Sequence, residues 1–195
     1  GGYLYFLNAP SDFHFDFECK RLLNNIHTFD VLRSDRCIST NGLEPRTPFL
    51  DKTFVNSYMS IPIEVRNPLS EYSKYVNNGK VCEKILLRTS FSKIMPDILP
   101  DKILWRTKEA FSDGVSGNSG SWFEIIKEKL SNSELNKYNF VHNNPTTKEQ
   151  QYYRNIYENL YPNTYNNIPY FWMPQFVNAT DSSARTLEIY SKLNK

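Results

Sequence analysis

The stretch "SDFHFDFECKRLLNNIHTFDVLR", Ser11 to Arg33, decides the fold. Ser11 or Asp12 can cap a helix directly after Pro10, since a short polar side chain there satisfies amide protons left unpaired in the first turn. Phe15, Cys19, Leu22, Ile26 and Phe29 follow at spacings of three and four, which puts them on one helical face. Arg33 continues that stripe, and Asp30 lies beside it, so two charges fall on or next to the face expected to be buried. Charges persist in such places when they are paired or meet a ligand.

Working outward, "NGLEPRTPFLD" (Asn41 to Asp51) carries Gly42, Pro45 and Pro48 and reads as a bent, extended loop. Asp51 can cap a short helix with Phe54, Val55, Tyr58 and Met59, which Pro62 ends. Residues Asn67 to Gly79 are polar and end in "NNG", the pattern of an exposed loop. A helix is expected from Lys80 to about Ile94, with Val81 and Ile85 on its apolar strip and Lys84 and Arg88 on one side at i and i+4. Trp122 starts another helix, "WFEIIKEKL". A capping box of Thr146 with Glu149 opens a further helix carrying Tyr153, Ile156, Tyr157 and Leu160, closed by Pro162. No interior strand is expected, so the chain reads as an α-rich layer.

At 195 residues the chain can make one domain with a sizeable core. Its 23 basic and 21 acidic residues leave a net charge of +2, with no concentrated excess to suggest nucleic-acid or membrane binding. Cys19, Cys37 and Cys82 form no CxxC pair, which suits reduced thiols and a reducing compartment. No apolar run approaches the roughly 20 residues that span a bilayer. No signal peptide opens the chain, so the sequon Asn178–Thr180 is read as unused. His14, His27 and His142 lack metal-ligand spacing, so no metal site is assigned, and neither GxxxxGK(S/T) nor GxGxxG is present. The start at Gly1 and Gly2, with no methionine, is read as the inside of a longer protein.

"WRTKEAFSDG", Trp105 to Gly114, sets a lysine between aromatic anchors and a glycine turn. With Arg33, Arg46, Lys84, Arg88 and Arg106, Lys108 makes a cluster of cations whose plainest reading is a solvated face with local ion pairs.

Several blocks together resemble one family. "GGYLYF", "FDVLRSDR", "GLEPRTPFLD", "EKILLR", "WRTKEAFSDG", "YYRNIYE" and "FWMPQFVNATDSSARTL" are similar, in order and across nearly the whole chain, to the C-terminal part of glutamine-hydrolysing asparagine synthetases. The tail resembles the animal-type eukaryotic version more than the bacterial one. The resemblance implies a mainly α segment: the C-terminal helical part of an α/β adenine-nucleotide hydrolase-like synthetase domain of the PP-loop ATP pyrophosphatase type, with most of its parallel sheet missing here. It implies ATP with Mg2+, aspartate, and ammonia delivered from an N-terminal glutaminase domain. A cytoplasmic enzyme and a homodimer of the full-length protein are also implied. Neither the family's SGGxDS phosphate loop nor its SGEGxDE motif is in the chain, so the isolated chain is expected to be inactive. A β-lactam synthetase-like amide ligase and a non-catalytic helical remnant are the competing readings, the first disfavoured by the match through the tail.

Residue by residue, Lys108 aligns with the family's lysine near the phosphates and the reacting carbonyl, where negative charge builds during adenylation and amidation. Asp30 and Arg33 match its "D..R" pair on the helix after the double glycine. Arg33 is then expected to hold the aspartate α-carboxylate, and Asp30 the substrate ammonium or Arg33 itself, with an i,i+3 structural ion pair as the alternative. Lys84 falls where the family has a lysine near the nucleotide. Arg46 is expected to tie loop to helix through Glu44 and Asp51. Trp105 and Phe111 are expected to be core anchors that fix Lys108, with Asp113 and Gly114 shaping the turn.

Overall fold

In the computed structural model the described residues are 4–106, 108, 122–133 and 140–179. The chain divides into two compact units, Gly1–Lys108 with Met173–Lys195, and Glu109–Trp172. Among the described residues every regular element is a helix, and no strand occurs.

In the first unit, a 3-10 turn over Leu4–Asn8 buries Tyr5 and Phe6. Helix α1, Asp12–Asn25, starts at Ser11, whose hydroxyl accepts from the His14 amide. Phe15 of α1 meets Phe6 edge to face at 5.4 Å, and Cys19 lies one turn on, also buried. Each such aromatic removed from water contributes roughly 1.5–3 kcal/mol.

The long helix read from the stripe does not run through. After Asn25 the chain makes a wide turn in which the Val31 amide donates to the Ile26 carbonyl at 3.0 Å, and helix α2, Asp30–Ser39, begins anew. That four-residue interruption re-phases the stripe. Asp30 and Arg33 are therefore exposed, and the charges that are buried belong to α1: Asp16 and Glu18. Asp30 now stands in the first turn of α2, where a carboxylate favours the helix dipole.

Asp51 caps helix α3, Lys52–Ser60, by accepting from the Phe54 amide at 3.1 Å. Pro62 starts the short helix α4, Ile63–Arg66. The segment from Asn67 to Gly79, expected as an exposed loop, contains helix α5, Glu71–Val76, and buries Asn67 and Ser73. Its polarity is used inward: the Asn67 amide donates to the Asp12 carboxylate at 2.6 Å and Asn77 to the Ser73 carbonyl at 2.7 Å. Only the end behaves as "NNG" suggests, with Asn78 and Gly79 in the left-handed region. Helix α6, Ile85–Ile94, begins five residues later than expected because Lys84 is left-handed, at φ 58°, and cannot belong to it. Val81 is accordingly exposed while Ile85 is buried. Helix α7, Asp101–Leu104, follows Pro100.

Around α1 the interior is ionic as well as apolar. Glu18 is 0% exposed; it accepts from the Tyr5 hydroxyl at 2.8 Å and from Arg21 at 2.6 and 2.7 Å. Arg66 donates to Asp16 at 2.6 Å and to the Ile61 carbonyl at 2.8 Å. Lys20 adds a second cation to Asp16 at 2.6 Å.

In the second unit, helix α8 covers Trp122–Lys129 and helix α9 Lys148–Leu160. The cap of α9 lies one residue later than the expected box: the Thr147 hydroxyl accepts from the Gln150 amide, and the Gln150 side chain accepts from the Thr146 amide. Thr146 and Glu149 do not form the box, because Gln150 occupies the third helical position counted from Thr147.

Candidate active site

Arg88, one turn into α6, gathers the segment that leads to Lys108. Its Nε donates to the Glu83 carbonyl at 3.1 Å, and Nη2 pairs with the Glu83 carboxylate. Nη1 donates to the main-chain carbonyls of Leu104, at 2.6 Å, and Arg106, at 2.9 Å. Glu83 is buried, so its charge requires this partner. Leu104 ends α7, where a carbonyl has no acceptor role left within the helix, and the guanidinium supplies the missing donor.

Trp105, between the two gripped carbonyls, is half-buried, with the Lys80 ammonium 4.0 Å from its ring centroid. Trp105 is thus not a core residue as expected, and a cation lies over its face. Lys108 is half-buried two residues beyond Arg106. Lys84 is exposed at the other end of the clasp, directly after Glu83. The expectation that Lys84 and Arg88 share a helical side fails, since Lys84 precedes the helix. Phe111, Asp113 and Gly114 lie outside the described residues.

Asp30 and Arg33 are carried on α2, three residues apart and exposed. The Arg88 bonds lie between Lys84 and Lys108 in the chain, whereas Asp30 and Arg33 sit together on α2. Arg46 makes an exposed ion pair with Glu44 at 3.0 Å. Asp51 serves the α3 cap instead, so the expected bridge from loop to helix is not formed. An exposed pair of that kind contributes little stability.

Cys19 and Cys82 offer no activated nucleophile. All three cysteines are free, and burial pushes the Cys19 and Cys82 thiols up, favouring the protonated form. His14 and His142 are bonded to the Ser11 hydroxyl and the Ile168 carbonyl, each at 2.8 Å. Among the described residues no group of three or more His, Cys, Asp or Glu stands ready to hold a metal ion. Among them, too, no helix is long and apolar enough to cross a membrane.

The roles of Glu83 and Arg88 were not legible from spacing. Their separation of five residues straddles the start of α6, so the i,i+4 rule for helical neighbours does not find the pair. Their presence in "EKILLR", one of the blocks that carry the resemblance, was the available signal.

A family model described as asparagine synthase matches residues 8–173. A Gallus gallus protein named asparagine synthetase (glutamine-hydrolyzing) is 45% identical over 197 residues, covering 97% of this chain and 33% of its own length. Proteins of the same name from Cricetulus griseus and Homo sapiens are each 42% identical, over 200 and 202 residues, covering 100% of this chain and 34% of their own. The chain thus spans about a third of the length of these curated relatives. Matched over most of its length, from before α1 to beyond α9, the chain belongs to the asparagine synthase family.

Proposed function

We propose that residues 1–195 form the C-terminal portion of the synthetase domain of a glutamine-dependent asparagine synthetase. In this reading ATP adenylates the side-chain carboxylate of aspartate with loss of pyrophosphate. Ammonia released from glutamine by an N-terminal glutaminase domain then displaces AMP to give asparagine. The nucleotide fold is of the PP-loop type, the enzyme is a cytoplasmic homodimer, and this chain adds its helical part.

Lys108 is the catalytic cation. Negative charge develops on the α-phosphate oxygens during adenylation and on the carbonyl oxygen as ammonia attacks. A fixed ammonium that meets both lowers the barrier by about 3 kcal/mol. Asp30 receives the aspartate ammonium, Arg33 its α-carboxylate, and Lys84 the nucleotide phosphates. The described residues do not fit a Mg2+ site of their own, so Mg2+ is assigned to the nucleotide and to residues outside those described. No step here rests on it.

The observation that supports the reading most is that Lys108 is half-buried two residues from a main chain gripped by Arg88, within a chain matched over residues 8–173. Lys108→Ala in the whole protein should lower asparagine formation by about a hundredfold or more and leave glutaminase turnover intact. Synthesis that survives with a modest loss would make Lys108 a structural cation.

A further inference from the structure

We infer that Arg88 is the positioning residue for Lys108: with Glu83 it forms a part-buried clasp on the main chain of Leu104–Arg106 that sets where the lysine's ammonium stands. This rests on the catalytic reading of Lys108. Arg88 directs four hydrogen bonds to three residues, Glu83 through its carbonyl and its carboxylate, Leu104, and Arg106. The guanidinium is planar and fork-shaped, so fixing two of its bonds on Glu83 leaves little freedom in the direction of Nη1. Glu83 is itself buried, at 5% exposed.

From the Arg106 carbonyl to Lys108 the chain has two residues, about 7 Å at full extension. Where those carbonyls are held therefore bounds where the lysine backbone can lie. Lys80 over Trp105 restrains the same stretch by its side chain. Two independent grips on three consecutive residues are more than a surface turn requires. They suit a segment whose next functional group must hold its place to a fraction of an ångström.

The experiment is Arg88→Lys in the whole protein, assayed with glutamine, aspartate and Mg-ATP. The substitution keeps a cation opposite Glu83 but loses the fork that reaches both carbonyls. The expected result is a fall in kcat for asparagine of about tenfold to a hundredfold, with KM for ATP and aspartate moving less than about threefold. Glutaminase turnover should not change. In a Lys108→Arg background, Arg88→Lys should slow synthesis by less than about twofold further, because a positioning residue acts through the group it positions.

An unchanged kcat in Arg88→Lys, with or without a lower Tm, overturns the inference, as does a full multiplicative loss in the double variant. Should Arg88→Lys not fold, Glu83→Gln carries the same test with a loss of about threefold to tenfold, because it frees the aim of the guanidinium. Survival of synthesis in Lys108→Ala defeats the underlying reading of the site instead. Loss in Lys108→Ala with an unchanged kcat in Arg88→Lys defeats this inference alone.

Discussion

Helices α1 and α9 differ by one residue in length, 14 against 13, and each starts from a hydroxyl cap, Ser11 on one and Thr147 on the other. Helix α1 turns Phe15, Asp16, Glu18 and Cys19 inward, so that half of what it buries is acidic. Helix α9 buries Gln151 and leaves Tyr152, Tyr153, Ile156 and Leu160 exposed. Its half-buried Arg154 pairs with Glu158 at 2.6 Å, donates to the His142 carbonyl at 2.9 Å and lies over the Phe140 ring. An apolar stripe thus marks a helix without deciding which side is covered. Where a cation lies within reach, Arg66 from α4 and Arg21 one turn along α1 itself, a carboxylate is buried in preference to a tyrosine.

The comparison breaks most readily at Glu18. Glu18→Ala removes the acceptor shared by Tyr5 and Arg21 in a fully buried place and should cost about 3–5 kcal/mol in urea unfolding. Glu158→Ala, the matching deletion on α9, should cost no more than about 1 kcal/mol. Equal costs would mean that the two helices are held alike.

Asp16 sharpens the contrast through pH. Burial alone pushes its carboxyl up, but hydrogen bonds from Lys20 and Arg66, and their charges, outweigh this and hold it below its usual value of 3.8. The folded pKa is the lower one. The ionised form therefore contributes its full stabilisation above about pH 4, and this is lost as pH falls through the folded value. A plot of Tm against pH should drop below pH 4 more steeply in the native protein than in Asp16→Asn. Superposed curves would show that the pairing does not favour the ionised carboxylate. The smallest effect belongs to α9: Ile156→Lys on its exposed side should change stability by no more than about 0.5 kcal/mol. A loss of several kcal/mol there would reveal a covered face.

What could be read from the residues followed from local chemistry. The Ser11 and Asp51 caps, the ends set by Pro62 and Pro162 and the helical character of α3, α8 and α9 depend on neighbours within four positions. Long-range pairing left no periodic trace. Asp16 meets Arg66 across 50 residues, and Arg88 meets Leu104 across 16. The reading that buried charges must be paired was sound, but it fell on Asp30 and Arg33 because the break after Asn25 is not announced by glycine or proline. The left-handed Lys84 was hidden for the same reason: the residue is an ordinary helix former, and neither glycine nor proline marks the turn there.

The arginine bonds also govern which substitutions the molecule tolerates. Arg21 donates to the Met173 carbonyl, Arg66 to that of Ile61, Arg88 to those of Leu104 and Arg106, and Arg154 to those of His142 and Asn143. A carbonyl is common to all twenty amino acids, so the accepting positions are free to drift while each donor is confined to one residue type. Where no strand exists among the described residues to stitch distant backbone together, guanidinium groups do the stitching from one side only. Pairwise covariation between sequences would therefore be blind to these ties, however much they hold in place.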